Sequence, residues 1–134
     1  MYIPGHTLGA IAWYLPPRPG SPAGDVFTGD TLFAAGCGRL FEGSPTQMHT
    51  SLQALVALAP ETRLWFGHEY TEANLRFAAA LEPDNVAVRQ RAASLPICTT
   101  PTTVALELAT NPFVRSSSPE VLAERRLAKD EFRG

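Results

Sequence analysis

Two rhythms of apolar residues divide this 134-residue chain. Up to about residue 68 they come in short, nearly unbroken runs: AIAWYL from Ala10 to Leu15, DVFTG from Asp25 to Gly29 and TRLWFG from Thr62 to Gly67. Runs of this length, rich in aromatic residues and bounded by Gly or Pro, predict strands, and the first, apolar throughout, predicts a buried one. The PPRPGSPAG stretch after it excludes regular structure, because Pro lacks an N–H and fixes φ. One helix interrupts the strands. Met48, Leu52, Leu55, Val56 and Ala59 recur at helical spacing, with Ser44 as N-cap, Pro45 at the first helical position and Gln47 completing a capping box, until Pro60 stops the run. After His68 the rhythm becomes helical throughout. Thr71 is expected to cap EANLRFAAALE, which Pro83 ends. NVAVRQRAASL and TTVALELA follow, RSSSPE reads as an exposed turn, and a last helix starts at Pro119 with Ser118 as its cap. The pattern predicts strand, strand, helix, strand over residues 1–69 and an all-helical part over 70–134.

Composition narrows the function classes. Hydrophobic residues make up 45% and charged residues 18%, which calls for a packed core rather than a disordered chain. A net charge of −2 with scattered Lys and Arg gives no basic surface for nucleic acid. No apolar run approaches the ~20 residues that span a bilayer, so no membrane partner is expected. The opening MYIPGHT does not read as a secretory leader, and the expectation is cytoplasmic. Cys37 and Cys98 lack a C-x-x-C partner and are read as reduced thiols.

Candidate chemistry sits at the strand ends. Gly5-His6 precedes the first strand, Gly29-Asp30 ends the second and Gly67-His68 ends the third. A Gly at such a place permits a sharp turn and close backbone approach, and loops at strand ends are where scaffolds display reactive groups. Imidazole and carboxylate are good ligands for zinc, iron or manganese, and an Asp has two oxygens that can each take one ion. Asp30 is therefore a candidate bridge between two metals, beside the plainer reading of a turn Asp and two hydrogen-bonded His. His49, alone on the Ser44 helix, reads as structural or solvated.

With their flanks, these residues resemble a specific family. PGHTLGAI, VFTGDTLFAAGCGRLFEG, WFGHEYTEANLRFAAALEP, NPFVR and RRLAKDEF are similar, in order and spacing, to the second half of the hydroxyacylglutathione hydrolases, or glyoxalase II enzymes. TGDTLF alone indicates only the metallo-β-lactamase superfamily; AGCG, GHEYT and KDEF narrow it. The resemblance implies an α/β fold, the C-terminal part of a metallo-β-lactamase-type αββα sandwich followed by a small all-α, glutathione-binding domain. It implies a two-metal thioesterase cleaving S-D-lactoylglutathione to D-lactate and glutathione, the step that completes methylglyoxal detoxification. His6 would ligate one divalent ion, His68 the other and Asp30 both, with a hydroxide held between the ions as nucleophile. Zinc is the expected metal, with iron or manganese as alternatives. The resemblance also assigns substrate contacts to Arg39, Phe41, Tyr70, Arg126 and Lys129. Phe41 stands where some members have Tyr and lacks that hydroxyl. Arg126 and Lys129 share a helix face and would hold the glycine carboxylate, unless Arg126 pairs with Asp130 at i+4 on a solvated face.

The family's T-H-x-H-x-D-H motif, source of the other four metal ligands, does not occur in this sequence. Each ion would keep two protein ligands where catalytic zinc usually has three plus water, so weak metal binding and little activity are expected of this chain alone. One sheet's worth of strands would also leave an apolar face for the N-terminal half or a partner chain to cover. Three readings follow: a glyoxalase II whose activity needs the other half, a noncatalytic interaction module, or a hydrolase of another thioester.

Overall fold

β2 (Asp25–Gly29) pairs on both sides and so forms the middle of the molecule's main sheet. The computed structural model describes residues 1–134. β1 (Trp13–Leu15) lies antiparallel along one side of β2, β5 (Arg63–Phe66) lies parallel along the other, and the short β6 (Thr102–Thr103) closes the sheet antiparallel to β5. A parallel pair needs a crossover. Here it consists of a tight hairpin, β3 (Leu32–Phe33) with β4 (Gly36–Cys37), and then helix α1 (Pro45–Val56). α1 starts where the sequence places it, because Ser44 Oγ accepts from Gln47 N while Gln47 Oε1 accepts from Ser44 N. Its buried face, Met48, Leu52, Leu55 and Val56, joins Ile3, Val26 and Leu64 in the main core. Four helices follow: α2 (Thr71–Leu81), α3 (Val86–Ala93), α4 (Val104–Thr110) and α5 (Pro119–Glu131). Val104, Phe113 and Leu122 enter the same core, so sheet and core draw on both sides of residue 70. No helix is long and apolar enough to cross a membrane.

The first strand departs from its expectation. Only Trp13–Leu15 is extended, all three residues are exposed, and Trp13 is 72% accessible. The cause is register: Trp13 lies opposite Phe27 and Phe27 opposite Trp65, forming one aromatic row across the face turned away from Val26 and Leu64. The Phe27 and Trp65 rings stack at 6.1 Å. An apolar run thus supplies an open face. Thr71 is not the cap of α2 either. Tyr70 takes that position without a side-chain bond, and the Thr71 hydroxyl instead meets the Glu69 carboxylate at 2.9 Å and Thr99 Oγ1 at 2.6 Å. TTVALELA is helical only from Val104, since Thr102 and Thr103 extend the sheet and Thr103 caps α4. In RSSSPE, Ser116 is buried and its carbonyl lies 3.0 Å from His49 Nε2, which gives His49 a structural partner.

Below the aromatic row the open face is fastened by charge. Asp25 receives Arg63 Nε at 2.7 Å and Trp65 Nε1 at 2.9 Å on one oxygen, and Arg63 Nη2 at 2.9 Å on the other, with Arg18 beyond. These bonds, those from Arg63 first and that from Trp65 next, hold the carboxyl down at about 2. A carboxylate pKa depressed on folding stabilises fully above the unfolded value near 4, and the contribution is lost as pH falls through about 2. Urea unfolding at pH 5 and at pH 2.5 is expected to show a steep loss for the wild-type chain and a shallower one for Asp25→Asn. Equal slopes would remove Asp25 as an acid-sensitive fastener.

Candidate active site

Three loops at one end of the sheet meet around Asp30. Gly29 takes φ +54° to end β2, which turns the Asp30 side chain toward the loops carrying His6 and His68. His6 Nε2 stands 3.7 Å from one Asp30 oxygen and His68 Nε2 3.4 Å from the other. Glycine is required beside them. A Cβ at Gly67 would lie 2.7 Å from Asp30 Oδ1, and one at Gly38 would lie 2.0 Å from the Asp30 carbonyl and 2.9 Å from His6 Nδ1. That Nδ1 is 2.9 Å from the Arg39 carbonyl, to which it donates, and this bond orients the ring so that Nε2 faces the carboxylate. Phe41 packs on His6 at 4.9 Å and Tyr70 on His68 at 5.3 Å.

The Nε2 to carboxylate separations of 3.4–3.7 Å are beyond good hydrogen-bond length. The spacing suits a cation between nitrogen and oxygen, since two ligand bonds of about 2.0–2.1 Å at a tetrahedral angle separate the donor atoms by roughly 3.3–3.4 Å. The donor set and its spacing fit one wall of a two-ion site. No three His, Cys, Asp or Glu side chains surround a single point.

Beside this wall opens a cavity of about 450 Å³ whose lining includes Phe33, Arg39, Tyr70, Asn74, Arg126 and Lys129. All the residues singled out for metal and substrate therefore border one space. Their liaisons differ from either sequence expectation for α5. Arg126 does pair with Asp130, at 2.8 Å, yet it points inward: it is only 8% exposed, donates to the Cys37 carbonyl at 2.8 Å and lies over the Phe113 ring at 5.0 Å. Its Nε is buried without a partner. Lys129 lies 5.8 Å from the Phe77 ring centroid and has no carboxylate within ion-pair distance; burial, then the neighbouring Arg126, lowers its pKa.

The helices also grip the hairpin that leads into the site. Asn74 of α2 donates to the Ala34 carbonyl at 3.0 Å, and Asn111 at the end of α4 donates to the Phe33 and Gly36 carbonyls at 3.3 and 3.0 Å. Glu107 of α4 accepts from Ala35 N at 2.9 Å, where the chain takes a positive φ of 54°. With Arg126 on Cys37, four carbonyls and one N–H of the hairpin are met by side chains of the helical part. Sequence reasoning missed Asn74, Glu107 and Asn111.

Residues 69–132 match the family described as "Hydroxyacylglutathione hydrolase C-terminus". Curated hydroxyacylglutathione hydrolases of Brucella ovis and Pseudomonas aeruginosa are 48% and 53% identical over 96% and 90% of this chain. This chain belongs to the hydroxyacylglutathione hydrolase family, as its C-terminal portion. It spans about half the length of those relatives, 56% and 47%. Among solved structures, ETHE1 from Myxococcus xanthus superposes with a TM-score of 0.66 at 27% identity, covering 99% of this chain and 46% of that one. A metallo-β-lactamase from Staphylococcus aureus gives 0.65 at 19% identity, over 100% and 34%. The fold is that of the metallo-β-lactamases, represented here by a portion of it.

Cys37 borders the cavity but is buried, and burial pushes its thiol up to about 11 against the opposing pull of Arg126. Cys98 is exposed. Iodoacetamide at pH 8 is expected to modify Cys98 alone in the native chain and both thiols only after unfolding; mass-mapped native labelling of Cys37 would contradict this.

Proposed function

We propose that this chain supplies half of a two-metal thioesterase site of the glyoxalase II type, acting on S-D-lactoylglutathione to give D-lactate and glutathione. The observation that carries the reading is Asp30 with one oxygen toward His6 and the other toward His68, beside a cavity bordered by Arg39, Arg126 and Lys129. His6, Asp30 and His68 would hold divalent metal, zinc first, which when bound activates a nucleophile and stabilises developing negative charge on the thioester oxygen. The nitrogen of His6 is oriented for this by the Arg39 carbonyl, and that of His68 by the stacked Tyr70. Lys129, unpaired, would take the glycine carboxylate, with Arg39 and Arg126 holding the positive field around it and Tyr70 and Phe41 flanking the peptide.

The division into 1–69 and 70–134 is part of the same proposal, the second part being the glutathione-binding one. So is the inactivity of the 134-residue chain by itself: two donors for each ion fall short of a catalytic zinc shell. The row Trp13, Phe27 and Trp65 is the face that the N-terminal portion of the family's fold would cover. Lys129→Met tests the substrate assignment without disturbing the Cys37 contact that Arg126 makes. In enzyme reconstituted with a polypeptide carrying the T-H-x-H-x-D-H half, it is expected to raise KM for the thioester about tenfold or more at nearly constant kcat, as lost ground-state binding does. An unchanged KM would take Lys129 out of the site.

A further inference from the structure

Three cations border the cavity, as does Asp30, and a second carboxylate, Asp130, pairs with two of the cations from beside it. Asp130 Oδ1 accepts from Arg126 Nη2 at 2.8 Å and lies 3.8 Å from Arg39 Nε, so a single oxygen serves guanidiniums from α5 and from the loop after β4. That is where a compact anion would sit if it were to use both. We propose that Asp130 is a built-in counter-ion that keeps free inorganic phosphate out of this pocket and leaves Lys129 as the cation available to a ligand carboxylate. The inference rests on the anion-binding reading of the cavity given above.

Asp130 is one of several groups on the Arg126 guanidinium and the one ion-pair partner of Arg39. Arg126 is held by the Cys37 carbonyl and the Phe113 ring, whereas Arg39 is largely exposed and only loosely engaged at 3.8 Å. What Asp130 supplies is charge. A guanidinium as buried as that of Arg126 requires a compensating anion. If the compensation came from solution, the most abundant divalent oxyanion would fill the pocket, since paired guanidiniums match phosphate geometry. With the counter-ion covalently part of α5, a phosphate must approach a carboxylate at contact distance, while a singly charged carboxylate held at Lys129 meets less repulsion. Discrimination then comes from an introduced repulsive element as well as from an attractive one.

The test is phosphate and glutathione binding to the full 134-residue chain, followed by 31P line broadening for phosphate and by calorimetry for glutathione, in wild type and in Asp130→Asn, which keeps the acceptor oxygen. The variant is expected to bind phosphate about five- to tenfold more tightly, from the Coulomb energy of one unit charge near a solvated site, with a smaller gain for glutathione. The phosphate gain should shrink as ionic strength approaches 1 M. Unchanged or weaker phosphate binding by Asp130→Asn overturns the inference. A phosphate gain with no glutathione binding by either chain supports the counter-ion role while removing glutathione from the functional reading. Should the variant not fold, the wild-type titration decides: line broadening at submillimolar phosphate would mean that Asp130 excludes nothing.

Discussion

Glu107→Ala is expected to remove about 3–5 kcal/mol of folding stability, the usual cost of leaving one member of a buried ion pair alone. Glu107 is fully buried and its partner Arg91, 2.8 Å away, is nearly so. The carboxylate also accepts from Ala35 N, Thr102 Oγ1 and Asn111 Nδ2, so alanine strands an Arg charge and several donors together. Against a total that for most domains is about 5–15 kcal/mol, the loss is a large fraction. The effect should reach the site, because the Ala35 turn joins β3 to β4 and leads on to Gly38, which touches Asp30 and His6. Chemical denaturation measures the first effect; hydrogen exchange of the Ala35 amide, expected to lose its protection first, measures the second. A variant within about 0.5 kcal/mol of wild type, as for an ordinary surface change, would show that the network adds nothing.

The second large effect concerns turnover. Loaded with zinc, the purified 134-residue chain is expected to hydrolyse S-D-lactoylglutathione far below the ~1 s⁻¹ at which ordinary enzymes begin. On the proposed two-ion reading His6, Asp30 and His68 would give each ion only two donors, and the sheet face bearing Trp13, Phe27 and Trp65 stands open. An open site does not keep water from a reacting thioester, nor does it hold the nucleophile in line. Turnover at or above about 1 s⁻¹, abolished by chelator, would mean that two donors per ion suffice here.

Much of this was legible in the sequence wherever the cause is local. Ser44, Pro45 and Gln47 specify the start of α1 through bonds within a single turn, and the capping box forms as written. The strand-end Gly-ligand pairs could be singled out because Gly is needed where backbone and ligand approach closely, as at Gly67 and Asp30. What depends on register was not legible. AIAWYL has the composition of a buried strand, but Trp13 faces outward because it aligns with Phe27 rather than Val26. Nor could spacing reveal that Glu107 is buried while Leu106 and Leu108 beside it are exposed, since the carboxylate's partners come from Ala35, Arg91 and Thr102 as well as from its own helix. Arg126 bonds to Asp130 as the solvated-face reading had it but does not lie on a solvated face, because a helix position can bond at i+4 and still turn its guanidinium into the core.

The account stands on Asp30 as the ligand shared between His6 and His68, and cobalt binding examines it most directly. Co²⁺ titrated into the wild-type chain, followed by its visible d–d absorption, is expected to bind weakly, to be displaced by Zn²⁺ and to lose its spectrum in Asp30→Asn while the circular dichroism stays unchanged. Identical cobalt spectra and affinities for wild type and Asp30→Asn would contradict it.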